Sequence, residues 1–263
     1  MHRAVSDTIL IGGISMSFMF TVSPDFAPDR LSGWYIFNTW LQKQSAEAIH
    51  LEMYNHYQDL HQAITADKID LIYANPFDAA MLVREKGFLP LVRAKGESDE
   101  AIIAVNAESG IDDVADLKPN TRVAFTDDPD VRLMGMIMLE PADLHAGNIV
   151  PLLSDNHVLV AKHLLKGEAD VGIILAEAYD NLSSMIKKQL RVLVRSQISV
   201  IYHSLMIGPR LQNRRDDLQK ILAEMDKDEK GGGVLNALGF NAWQRIEDEE
   251  MEFMIDLMDT LNT

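Results

Sequence analysis

The sequence predicts an α/β protein of two lobes, and three observations carry that expectation. Apolar runs of strand length alternate repeatedly with helix-length segments, the pattern of a sheet covered by helices with mostly parallel pairing. The run Tyr57–Ala80, YQDLHQAITADKIDLIYANPFDAA, reads as helix, turn, buried strand, loop and helix start in immediate succession. Two polar, turn-forming stretches, Lys95–Ser98 and Arg195–Gln197, interrupt the alternation and read as crossings between lobes. Two crossings make one lobe discontinuous: residues 7–95 with 204–263 form the first, 96–203 the second, and the strands near 95–98 and 195–203 form a hinge over a cleft.

Taken in order, Ile9–Gly12 is the first strand expected from its apolar run, with the polar loop Ser15-Met16-Ser17 after it and a helix around 31–44. Ile49–Met53 reads as a strand, Leu60–Ala66 as a helix and Ile69–Tyr73 as a buried strand. Asn75-Pro76-Phe77-Asp78 then supplies an N-cap residue, a proline at the first helical position and a carboxylate in the first turn. A helix N-terminus at the carboxyl end of a strand is where open α/β sheets hold ligands, because unpaired N–H groups converge there. Strands follow at 92–94, 101–106 and 122–125, with a short helix at 112–117. Helices are expected at 134–139 and 158–165, a buried strand at 169–175, strands at 190–194 and 200–207, and helices at 216–225 and 248–261. Gly231-Gly232-Gly233 reads as a flexible turn, and no internal repeat is visible.

Composition excludes several classes. Hydrophobic residues make up 47% and charged residues 24%, values of a globular chain. The formal charge of −16 opposes nucleic acid and anionic membrane surfaces as partners, since these need Lys and Arg to neutralise phosphates. With no cysteine there is no thiol nucleophile and no thiolate metal site. No stretch reaches the roughly twenty apolar residues of a membrane span, and the first residues carry no export signal. Cytoplasmic residence is therefore expected, or periplasmic residence if a signal has been removed. The spacing of His50, His56 and His61 does not put a metal-binding pair on one helical face, and Met251, Met254 and Met258 repeat as a core stripe. No metal or cofactor is expected, and no hydrolase elbow, zinc helix or dinucleotide loop is present.

The order of IGGIS, YQDLHQAITADKIDLIYANPFDA, LKPNTRVAFTDDPD, LLKGEADVGI and LGFNAWQRI resembles the phosphonate-binding periplasmic protein family, the substrate-binding components of ABC importers. The resemblance implies a type 2 periplasmic-binding clamshell of two α/β lobes that closes on a small solute without chemistry. Carried over residue by residue, it implies a site from Ser15 and Ser17 after the first strand, from Tyr73, Asn75 and Phe77, and from the segment after Phe125. There the family places a hydroxyl-rich helix start, whereas this chain has Thr126-Asp127-Asp128-Pro129-Asp130-Val131-Arg132. Thr126, Asp127 and Arg132 are the candidates from it, joined by Glu177 at the end of the 169–175 strand. One reading makes Asp128 a helix cap and leaves Asp127 and Asp130 solvated; in the other the carboxylates face the ligand. Asp170 is expected to be structural. The implied ligand is an oxyanion or an amine-bearing phosphonate-like solute, and the implied partner an ABC permease. An intracellular sensor or protein-interaction module with a signalling partner, or an enzyme acting on a cleft-bound molecule, would use the same fold.

Overall fold

The structure, a computed structural model, describes residues 17–26 and 28–261. Eleven strands and ten α-helices are found among them, in two sheets. The first sheet is ordered β2-β1-β3-β10-β4-β11 and uses β1 (Phe18–Val22), β2 (Ile49–Leu51), β3 (Leu71–Ala74), β4 (Leu89–Ala94), β10 (Ser204–Ile207) and β11 (Trp243–Arg245). The second is ordered β7-β6-β8-β5-β9 and uses β5 (Ala101–Asn106), β6 (Arg122–Phe125), β7 (Val150–Leu153), β8 (Val171–Leu175) and β9 (Leu190–Arg195). The helices are α1 (Leu31–Ser45), α2 (Tyr57–Thr65), α3 (Pro76–Lys86), α4 (Pro129–Met138), α5 (His157–Leu165), α6 (Ala176–Asp180), α7 (Ser184–Lys187), α8 (Arg215–Ala223), α9 (Glu229–Leu238) and α10 (Asp248–Leu261).

The sheets are mixed, but not mostly parallel as the alternation suggests. Of the nine strand pairings among the described residues, β1–β2, β1–β3, β6–β7 and β6–β8 are parallel and the other five antiparallel. The reason is that β10 and β5 return along their sheets in the opposite sense, and each contributes two antiparallel ladders. Apolar cores lie on both faces of each sheet, and this explains why β3 and β10 are buried along their whole length.

Several sequence expectations change. The strand expected at 9–12 lies outside the described residues; the strand that feeds α1 is Phe18–Val22, aromatic and β-branched. The glycine triplet is not a turn but the first part of α9, capped by the Asp228 side chain, which accepts from the Gly231 N–H at 3.2 Å. Gly231 is required there because a Cβ would come within 2.1 Å of the Met225 carbonyl oxygen. Gly33 plays the same part in α1, where a Cβ would meet the Ala237 carbonyl at 2.3 Å, so α1 and α9 touch backbone to backbone. The stretch 200–203 is not strand: β10 begins at Ser204. Met251 and Met254 pack in a core of the first sheet and Met258 in a core of the second, so α10 runs across both.

A structural repeat with an offset of 100 residues connects the two sheets. After α2 the chain turns through Asp67 in the left-handed region (φ 53°), and after α5 it turns through Gly167 (φ 69°). Asp70 and Asp170 then open β3 and β8. Asp70 accepts from the Met19 N–H at 2.9 Å, and Asp170 accepts from the Arg122 N–H at the same distance. In return the Asp70 and Asp170 N–H groups donate to the carbonyls of Met19 and Arg122. Asp170 also holds the Arg122 guanidinium, with Nη2 at 2.5 Å. The hydrogen bonds from Arg122 keep its carboxyl below the usual range despite partial burial. A carboxylate depressed in the folded state stabilises above its unfolded value, and the contribution vanishes as pH falls through the folded value. Asp170→Asn is thus expected to cost about 1 kcal/mol at pH 7 for the weakened bonds. Urea unfolding of both proteins at pH 7 and near pH 3 should show the difference shrinking in acid.

Candidate functional site

The carboxyl ends of β1, β3, β6 and β8 face one another across a seam between the two sheets. Beyond β1 the chain runs Ser23-Pro24-Asp25. Ser23 Oγ accepts from the Asn75 N–H at 3.0 Å, and Asn75, fully buried beyond β3, caps α3 by accepting from the Asp78 N–H at 2.7 Å. Asn75 Nδ2 in turn donates to the Tyr57 hydroxyl oxygen at 3.2 Å. Tyr57 is the first residue of α2; its hydroxyl lies 2.6 Å from Asp25 Oδ2 and 3.0 Å from Asp128 Oδ1, with one proton to give.

From the second sheet, β6 ends at Phe125 and leads through Thr126 and Asp128 into α4, which Pro129 opens. Asp128 occupies the N-cap position but makes no capping bond with its side chain. It is instead held from both sides of the seam: Tyr57 on one oxygen and His157 Nε2, at 3.1 Å, on the other. His157 is the first residue of α5 and stands in the repeat where Tyr57 stands in the first lobe. Its Nδ1 lies 3.5 Å from the Leu175 nitrogen, whose N–H points to it, so the tautomer that donates from Nε2 suits both contacts. His203, just before β10, bridges two more carboxylates, with Nε2 3.1 Å from Asp25 and Nδ1 2.8 Å from Asp99. The Tyr73 ring stacks on it at 5.4 Å between centroids.

Charge in the seam is unbalanced. Burial opposes the His203 cation, but the charges of Asp99 and Asp25 overcome it and raise its pKa well above the ordinary histidine value. Burial would also raise Asp25, yet the charge and hydrogen bond of His203 and the Tyr57 hydroxyl hold it below the usual range. Asp128 is raised, chiefly by burial and against the pull of His157. Asp130, 1% exposed, is pushed well above the usual range by burial first and then by the charges of Asp99 and Asp128. Its Oδ1 and that of Asp25 are buried without a hydrogen-bond partner. Burial and the nearby aspartates also push the Tyr57 hydroxyl up, so it remains a donor.

The geometry corrects the solvated reading of the acidic segment. Asp127 is exposed, whereas Asp128 (7% exposed) and Asp130 are buried in the seam. The profile of a family described as "ABC transporter, phosphonate, periplasmic substrate-binding protein" matches residues 20–251. The chain belongs to this family. The match starts beyond IGGIS, within β1. No curated protein matches the sequence. Among solved structures, PhnD1 from Prochlorococcus marinus (MIT 9301) in complex with methylphosphonate is similar at 15% identity and TM-score 0.78, over 94% of this chain and 98% of that one. XAC2383 from Xanthomonas citri bound to chloride ion is similar at 14% identity and TM-score 0.75, over 94% and 98%. The periplasmic aliphatic sulphonate binding protein SsuA from Escherichia coli, at 14% identity, has TM-score 0.63 over 93% and 87%. At these identities the likeness establishes the type 2 periplasmic-binding fold.

Against that family fold, Tyr73 and Asn75 contact the seam cluster, and Thr126, 5% exposed, directly follows the strand that feeds it, with its Oγ1 unpartnered. Glu177 forms an ion pair with Arg30, joining α6 to the turn before α1. Phe77 is 38% exposed in the first turn of α3, and Asp127 and Arg132 are exposed and stand outside the bonded cluster. Ser15 lies outside the described residues. Ser17 is exposed before β1, at the opposite end from the seam and a strand length, roughly 16 Å, from it. Asp25, Tyr57, Asp99, His157 and His203 were missed by sequence reasoning, whereas Asp128 and Asp130 entered as one of two alternatives. For Asp25 a local signal existed, since FMFTV is a better strand than ILIGG by β-branched and aromatic content and Ser-Pro-Asp follows it directly. No helix is long and apolar enough to cross a membrane among the described residues.

Proposed function

We propose that this member of the family is a non-catalytic solute-binding clamshell whose ligand sits in the seam and supplies positive charge to it. Its lobes are residues 7–95 with 204–263 and residues 96–203, hinged near 95–98 and 195–203, with the end of α10 lying across both. The ligand contacts come from Tyr57, Tyr73, Asn75 and Thr126 together with Asp25, Asp128 and Asp130. The family's role makes an ABC permease the partner and the periplasm the compartment. The observation that carries this reading is the burial of Asp128 and Asp130 beside Asp25, where the resemblance implies neutral hydroxyl donors for an oxyanion. An uncompensated carboxylate at a partly buried site opposes an anion by a few kcal/mol, equivalent to an affinity loss of about 100-fold or more. An amine on the solute reverses that sign. The direct links Tyr57–Asp128 and Arg30–Glu177 between the sheets support a second reading, a sensor or interaction module whose lobes are held by the protein's own groups.

Calorimetric titration in the presence of chelator, with methylphosphonate, 2-aminoethylphosphonate and phosphate, tests the proposal. The aminated ligand is expected to bind at least about 100-fold more tightly than methylphosphonate. Tight binding of methylphosphonate, which brings no cation, would overturn the charge argument. Absence of heat with all three would favour the second reading.

A further inference from the structure

The seam lacks a cation that its own side chains do not provide. One carboxylate oxygen from each of Asp25, Asp128 and Asp130 lies within 4.8 Å of the others. Asp130 is almost wholly buried, and both its Oδ1 and Asp25 Oδ1 have no donor, an arrangement that buried carboxylates seldom keep unless something else satisfies them. The histidine and tyrosine donors around them are already engaged. His203 is shared between Asp25 and Asp99, His157 donates to Asp128, and Tyr57 has one proton for two carboxylates. Four carboxylates therefore face one imidazolium, and a single added positive charge leaves the seam still strongly negative.

We propose that Asp25, Asp128 and Asp130 form a binding site for a hard divalent cation of the calcium, magnesium or manganese class. The donors are all oxygens, which suits such ions. Ligands about 2.4 Å from a calcium-sized ion stand roughly 3.4 Å apart when adjacent and 4.8 Å when opposite, and these oxygens lie within the larger of those separations. The ion gives Asp25 and Asp130, each of which has an unpartnered oxygen, a further partner and removes two charges at once. An excess of surface acid does not reproduce this, because Asp130 is buried and its position is fixed by the start of α4. The site shares the seam with the proposed solute, and it rests on that reading only in assuming that small species reach the seam.

The test is titration of the chelator-treated full chain with Mn2+ alone, followed by calorimetry and electron paramagnetic resonance, and repeated with Ca2+ and Mg2+. One saturable site is expected for Mn2+, with a rise in melting temperature on binding. Asp130→Asn is expected to melt cooperatively, at or above the metal-free wild-type temperature because it removes a buried carboxyl with an unpartnered oxygen, while Mn2+ affinity falls 10-fold or more. Asp155→Asn, an exposed acid outside the cluster, should bind like wild type. No saturable binding of any of the three ions at millimolar concentration would overturn the site. Equal Mn2+ binding by Asp130→Asn and wild type would do the same, by placing the ion on the acidic surface. Because no solute is present, neither outcome bears on the phosphonate titrations, and the solute proposal stands or falls separately.

Discussion

His203→Ala is expected to lower the unfolding free energy by about 3 kcal/mol at neutral pH, the lower part of the range for breaking a buried ion pair. The lower part applies because the His203 side chain retains 17% exposure. Most of the cost comes from what is left behind rather than from the lost ring. Asp25 and Asp99, 5% and 15% exposed at their side chains, would keep their charges without the imidazolium that lies between them. Asp25 would retain only the Tyr57 hydroxyl, which Asp128 also demands. Chemical denaturation of a double-mutant cycle with Asp25→Asn checks the cause: the second substitution should recover part of the loss, because it removes the charge that His203→Ala orphans. If the two losses simply add, the penalty lies in lost packing against Tyr73 and the electrostatic account is wrong.

Trp34→Ala is expected to cost about 3–5 kcal/mol, the range for removing a fully buried large aromatic. Trp34 is 1% exposed and contacts Phe20, Phe37, Tyr73 and Phe240, with ring centroids 4.8 to 6.1 Å away. It is the residue through which α1 grips the first sheet, and Tyr73 carries its packing on to His203. Thermal and urea unfolding should therefore show a large loss for alanine and a smaller one for phenylalanine, which fills part of the same volume. A loss near 1 kcal/mol for Trp34→Ala would mean that the aromatic cluster closes over the gap. The nearby Gly33 makes such closure difficult, since α1 already touches the backbone of α9 there.

What the sequence determined by itself is local. The caps and periodicities of Tyr57–Ala80 act within a few residues, and the helix start at Asn75-Pro76 and the buried strand before it follow from them. The same holds for the methionine stripe of α10. The order of motifs identified the family because order is itself a property of the sequence. At the start, the apolar run ILIGG drew attention away from FMFTV, the strand that stands before Asp25. Helicity of the glycine triplet was hidden for a related reason: glycine weakens a helix locally, and only contact with Met225 makes it necessary at position 231. The 100-residue repeat was also invisible, because what recurs is an aspartate bonded to a neighbouring strand and a left-handed turn, built on different residues in each lobe. Tertiary structure alone decided the charge state of the seam. Asp25, Tyr57, Asp128 with Asp130, His157 and His203 come from five separate places in the chain, and a carboxylate in a sequence looks the same whether solvated or buried. Desolvation and Coulomb interaction depend on distance in space, so the difference between a solvated cap and a cation-demanding site appeared only when the two sheets were brought face to face.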